Sequence, residues 1–140
     1  MFKKRNEGFT LVELLIVLAV IAALLAIVTP VAVSAVKKAK ATQVASTLRN
    51  ITAAVQQFYY TEQMWPENGL DTLEASGYIQ GNLEGYELRP TNASTKTTTE
   101  GSVVYTGGGV NYEDVHKIWS EVKKKDENTI YVDVEVSKYW

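Results

Sequence analysis

From Leu14 to Val36 the chain carries no charged side chain, an apolar run of about 23 residues that is unbroken to Val28 and extended by Thr29-Pro30-Val31-Ala32-Val33-Ser34-Ala35-Val36. As a helix rising ~1.5 Å per residue, such a run crosses a hydrocarbon core ~30 Å thick. A secretory signal has a shorter apolar core, of about 7–15 residues, with a small-residue cleavage site after it. The longer run here implies a retained span, with any removed segment lying before it. Lys3, Lys4 and Arg5 precede the run. The positive-inside bias holds them in the cytoplasm and places the C-terminal part outside.

Glu13 sits at the very start of this span. A carboxylate costs about 2.5–3.5 kcal/mol at mid-bilayer and less near the interface. A charge kept at such a position calls for a partner or a task. A plain signal anchor does not account for it.

The ordered set KKRNEGFTLVELLIVLAVIAALLAIVTP comprises a basic head, Gly8 before the aromatic Phe9, Thr10-Leu11-Val12-Glu13, and Pro30 within the apolar run. Over residues 3 to about 36 it resembles the class III signal and N-terminal helix of type IV pilins and type II secretion pseudopilins. The resemblance implies cleavage by a prepilin peptidase between Gly8 and Phe9, followed by N-methylation of Phe9. The chain is then a substrate of that enzyme and not itself an enzyme. It also implies three parts: a leader, residues 1–8; a transmembrane and assembly half-helix, residues 9–36; and a globular domain, residues 37–140, that includes the amphipathic half of the helix. The implied fold is α+β, a pilin-like lollipop with a long N-terminal helix packed on a small antiparallel sheet.

Once cleaved, the chain has Glu13 as its fifth residue, near the new amine of Phe9. An α-amine with a pKa near ~8 is largely cationic at neutral pH. Pairing it with the Glu13 carboxylate of a neighbouring subunit offsets part of the burial cost of both charges. Such pairing also sets the axial register as subunits are added, the role the resemblance implies. Pro30 removes a backbone donor inside the span, so a kink is expected near residues 26–30. Helices of assembled pilins resemble one another in losing regular structure near such a proline.

About 100 residues remain beyond the span for one small domain. There are no cysteines, so the C-terminal disulfide loop of many type IV pilins cannot form. The formal net charge is −2, and the leader takes Lys3, Lys4, Arg5 and Glu7 with it. The processed chain is more acidic still, and bulk charge gives no support for nucleic-acid binding.

Past the span, Val44, Leu48, Ile51, Val55 and Phe58 recur at helical spacing, an amphipathic stripe for packing on the domain. The helix from Phe9 to about Tyr60 then reaches roughly 75–80 Å. Lys37, Lys38 and Lys40 read as interfacial anchors where it leaves the bilayer. Trp65-Pro66 breaks the helix. Asp71-Thr72-Leu73-Glu74 reads as a capping box for a short helix ended by Gly77. The run FYYTEQMWPENGLDTLEASGYI resembles the pilin segment that follows the long helix.

Strands are expected at Tyr86-Glu87-Leu88-Arg89, at Ser102-Val103-Val104-Tyr105-Thr106, and from Ile130 to Val136, where apolar and polar residues alternate. Between the last two, Val115, Ile118, Trp119 and Val122 share one helical face, with Lys123, Lys124 and Lys125 at the helix end. TNASTKTTTEGS reads as an exposed polar loop and Gly107-Gly108-Gly109 as a turn.

Little else suggests chemistry. His116 is the sole histidine and lies off the apolar stripe, so a solvated side chain is expected and a zinc site is unsupported. Asp126-Glu127-Asn128 lacks the spacing of an EF-hand, and the C-terminal calcium loop of major pseudopilins finds no match. No cofactor motif is present. Asn92-Ala93-Ser94 fits a glycosylation acceptor within the polar loop; Asn50-Ile51-Thr52 fits it within the long helix. Tyr59, Tyr60, Trp65, Tyr131, Tyr139 and Trp140 read as packing residues, with base stacking as the sharper alternative.

These readings converge on a structural subunit of a type IV pilus-like filament, for adhesion, twitching motility or DNA uptake. Its partners are copies of itself, the prepilin peptidase, and the inner-membrane assembly machinery of a pilus or secretion system. It resides in the inner membrane as a precursor and at the cell surface or beyond after assembly. The chain's length and its Thr-rich loop favour this over a pseudopilin of a type II secretion system. An alternative of another class is a monomeric membrane-anchored binding domain.

Overall fold

The computed structural model describes residues 8–91 and 100–137. The Asn92 acceptor, Tyr139 and Trp140 lie outside them. The chain divides into two compact units between Val36 and Lys37.

Helix α1 (Leu11–Glu62) begins in the first unit. None of its residues from Leu11 to Val36 is buried. The helix is assigned without interruption through Pro30. Thr29 Oγ1 donates to the Leu25 carbonyl at 2.7 Å, just ahead of the proline.

In the second unit α1 turns amphipathic. Val44, Leu48, Ile51, Val55 and Phe58 are all buried, as their spacing requires, and Ala41, Ala45, Ala54 and Tyr59 fill in beside them. Helix α2 (Leu70–Ala75) follows the Trp65-Pro66 break, and Leu73 is its buried residue. The capping box expected at Asp71–Glu74 does not form. The N-cap lies two residues earlier, at Gly69, with no side-chain cap. Thr72 Oγ1 instead accepts from the Asn68 amide at 3.1 Å. Gly77 does end the helix. It has φ 76°, and its amide reaches Glu74 O while that of Tyr78 reaches Leu73 O, the paired bonds of a Schellman stop.

Strands β1 (Tyr86–Pro90), β2 (Glu100–Tyr105), β3 (Lys123–Asp126) and β4 (Thr129–Glu135) form one antiparallel sheet in the order β1-β2-β4-β3. The register puts Leu88, Val103 and Val132 in one cross-strand row and Tyr86, Tyr105 and Ile130 in the next. These rows join the α1 stripe in a single core with Trp65, Leu73, Val115 and Val122. The fold is therefore a long N-terminal helix packed on a four-stranded antiparallel sheet, an α+β arrangement of pilin-like type.

The third helix is shorter than its sequence suggests. Helix α3 spans Tyr112–Ile118, and Trp119 is already extended at φ −142° and ψ 106°. Val115 keeps its place in the core. Val122 is buried too, though from the connection beyond the helix. The lysines assigned to a helix end instead form β3, an exposed edge strand paired with β4. Lysine suits both places: it complements a helix C-terminus, and it protects an unpaired strand edge from another chain. Pairing with β4 decides between them, and Glu127-Asn128 becomes the turn between the two strands.

Candidate functional site

The sequence directs attention to the head of α1. Gly8, Phe9 and Thr10 precede the helix and are exposed, Phe9 by 94%. Thr10 closes the helix start. Its Oγ1 accepts from the Glu13 amide at 3.2 Å, and Glu13 Oε2 accepts from the Thr10 amide at 3.0 Å. The Thr10 carbonyl takes the Leu14 amide at 3.2 Å. This is a reciprocal capping box, in which two otherwise unsatisfied donors find partners. The Thr-x-x-Glu spacing announces it, yet reading Glu13 only as a misplaced membrane charge passes over it. Glu13 therefore has a partner within its own chain. Its Oε1 makes no hydrogen bond among the described residues.

Beyond Glu13 the helix presents apolar side chains on every side. Leu15, Ile16, Leu24, Leu25 and Val31 are all more than half exposed. By length and composition α1 is able to cross a membrane. A helix apolar all round needs lipid or protein around it.

Residues 3–29 match the family described as "Prokaryotic N-terminal methylation motif". The chain carries that methylation motif. It is the class III signal of type IV pilin- and pseudopilin-like proteins, to which the N-terminal segment of this chain is similar. No curated protein and no solved structure matches the chain.

The remaining candidates are scattered over the second unit of the chain. His116 is half-buried, not solvated as its position off the stripe suggested. It stacks on Tyr112 with ring centroids 5.1 Å apart, and its Nδ1 lies 3.1 Å from the Val122 carbonyl. The same Nδ1 lies 3.2 Å from the Tyr112 hydroxyl, and the tautomer sets which of the two contacts it donates to. The histidine thereby ties α3 to the start of β3. No cluster of metal-ligating side chains occurs among the described residues.

The aromatics do not form a common surface. Tyr59 and Trp65 are buried, whereas Tyr60 is exposed and Tyr131 half-buried. Base stacking on Tyr59 or Trp65 is therefore ruled out. Asn50, in the other glycosylation triplet, lies in the middle of α1. Lys37, Lys38 and Lys40 are exposed at the head of the second unit.

Proposed function

We propose that this chain is the structural subunit of a type IV pilus-like filament, cut between Gly8 and Phe9, N-methylated on Phe9 and polymerised through α1. The observation that carries this reading is the first half of α1: apolar on every side, unburied, and opened by an acidic residue. In the precursor, lipid covers those side chains. In a filament, the same side chains of neighbouring subunits cover one another, as an apolar surface of this extent requires.

The capping box bears on how Glu13 acts. Oε2 is engaged by the Thr10 amide, which leaves Oε1 to accept from a second donor. The cationic amine of a neighbour's Phe9 is a suitable donor, and a charge-assisted bond to it is strongest where water is excluded. Both contacts use one carboxylate, which a glutamine cannot reproduce with two acceptor oxygens. Pro30, which has no amide hydrogen to offer Ala26, is the place where α1 yields when subunits pack.

Mass spectrometry and electron microscopy of material sheared from cells test the proposal. A mature chain beginning at N-methylated Phe9 within thin filaments supports it. The mature chain confined to membranes, with protein export lost on its deletion, replaces it with a pseudopilin role. An uncut chain beginning at Met1 overturns it. Glu13→Ala is expected to be processed at near-normal levels yet form no filaments; abundant filaments from that variant contradict the assembly role.

A further inference from the structure

Between α1 and α3 of the second unit lies a groove of about 360 Å³ lined by Lys38, Ala41, Thr42, Asp114, Lys117 and Ile118. We propose that this groove seats the headgroup of an anionic phospholipid, docking the domain against the bilayer before assembly. The inference rests on the reading of α1 as a membrane span.

Three observations carry it. The first is position. Lys38 is the second residue after the apolar run, and Ala41 and Thr42 lie within the next turn. A chain that reaches at most ~3.3–3.6 Å per residue holds Lys38 within about 7 Å of the end of the span. The interfacial layer is of similar depth: ~40–45 Å of bilayer less ~30 Å of hydrocarbon leaves about 5–8 Å on each side. Lys38, which lines the groove, thus stays within reach of the headgroups.

The second is chemistry. The groove pairs two exposed lysines, Lys38 and Lys117, with the apolar side chains of Ala41 and Ile118. Lysine ammonium groups suit a phosphate, and the apolar wall suits the glycerol and first methylenes beneath it. Asp114 also lines the groove. Its charge is outnumbered there, and Lys37 lies beside it in an adjoining cleft, with Val110 and Asn111. A neutral headgroup gains nothing from that excess of positive charge, whereas an anionic one does.

The third is exposure. Ile118 is 39% exposed at the end of α3, although Val115, one turn earlier, is fully buried. Arg49 holds that end in place. Its Nη2 donates to the Ile118 carbonyl at 3.1 Å, and its guanidinium lies 5.2 Å from the Trp119 ring centroid. Ile118 is thus held at the groove by a fixed helix end.

The full-length chain in lipid vesicles tests this. Ser120 is exposed, follows the groove residue Ile118 by two positions and does not line the groove, and the chain has no cysteine. Ser120→Cys carrying a polarity-sensitive fluorophore therefore reports docking at one site. Vesicles of phosphatidylcholine alone are compared with vesicles containing phosphatidylglycerol. The expected result is a blue shift only with phosphatidylglycerol, and its reduction by Lys117→Gln. A basic residue near an anionic surface contributes about 1 kcal/mol, so the docked-to-free ratio falls roughly fivefold. Lys117→Glu abolishes the shift, and inorganic phosphate added to phosphatidylcholine vesicles does not reproduce it.

Equal emission in both lipids overturns the proposal, as does a shift indifferent to Lys117→Glu. An unchanged thermal midpoint of the Lys117 variants shows that the effect is not misfolding. Carbonate extraction separates the two readings: a chain washed from the vesicles refutes the span itself, and this proposal with it. An integrated chain without the shift refutes only the headgroup seat.

Discussion

Gly101 has no side chain because Trp65 occupies the place where one would sit. A Cβ built on Gly101 falls inside the contact distance of the buried indole and 2.9 Å from the Arg89 carbonyl. The glycine is therefore fixed by a close approach rather than by its backbone angle. Gly101→Ala is expected to cost about 1–3 kcal/mol, the range for overpacking a filled core. Denaturant midpoints of the full chain in detergent measure it. Trp65→Phe, which also removes an indole N–H with no partner among the described residues, is expected to relieve part of that cost, so the double variant is non-additive. At the other end of the chain, Thr10 caps the helix whose first acidic residue is Glu13. Thr10→Ala is expected to lose about 1 kcal/mol from the first turn. Hydrogen exchange at the amides of Leu11 to Glu13 should quicken severalfold, while that of the core strands stays unchanged. Unaltered exchange in the first turn would rule the cap out.

At the scale of the element, the sheet carries one unfavourable pair. Glu100 and Glu135 face each other across β2 and β4, both exposed. Like charges directly opposite oppose the pairing, and opposite charges favour it by about 0.2–1 kcal/mol. Glu135→Lys is expected to raise the denaturant midpoint slightly, most at low salt. The edge strand β3 poses a different problem. Its exposed Lys123, Lys124 and Lys125 keep it from pairing with another chain. Replacing all three with threonine retains strand propensity while removing the charge. Light scattering in detergent should then show stronger concentration-dependent association than the parent does. The Lys123–Asp133 ion pair on the same face is solvent-exposed, and little stability is expected from it.

For the whole molecule, stability should be lost on the alkaline side. The rings of Tyr86 and Tyr105 meet at a 45° tilt, centroids 4.8 Å apart, at the core between α1 and the sheet. Burial raises the pKa of Tyr86 above 10.0; a hydrogen bond from Thr47 opposes this and the charge of Tyr105 adds to it. Burial raises that of Tyr105 as well. Lys123 is raised too, first by its hydrogen bond to Asp133 and then by that carboxylate's charge. Each group holds its proton more tightly folded than unfolded. Their contribution is full below pH 10 and falls as the pH rises through the folded values. Thermal midpoints should decline above pH 10, and Tyr86→Phe should flatten that decline. An equally steep limb in Tyr86→Phe would place its origin elsewhere.

What was legible in the sequence was whatever depends on short-range order along the chain. The apolar run, the stripe from Val44 to Phe58, the Gly77 stop and the alternation of β4 each follow from spacing alone, because helices and strands bury faces with fixed periods. The motif at the head of α1 is likewise linear, and the match over residues 3–29 needs no fold to be seen. Tertiary structure decided what the same spacing left open. Lys123 to Lys125 suit a helix end or a strand edge equally well, and only pairing with β4 makes them an edge. His116 is drawn inward because α3 ends at Ile118 and brings the Val122 carbonyl to its ring. Gly101 and Trp65 meet across a long stretch of chain, and the Lys38–Lys117 groove joins residues still farther apart. Periodicity fixes which face of an element is apolar; it carries no information about which distant side chain arrives to cover it.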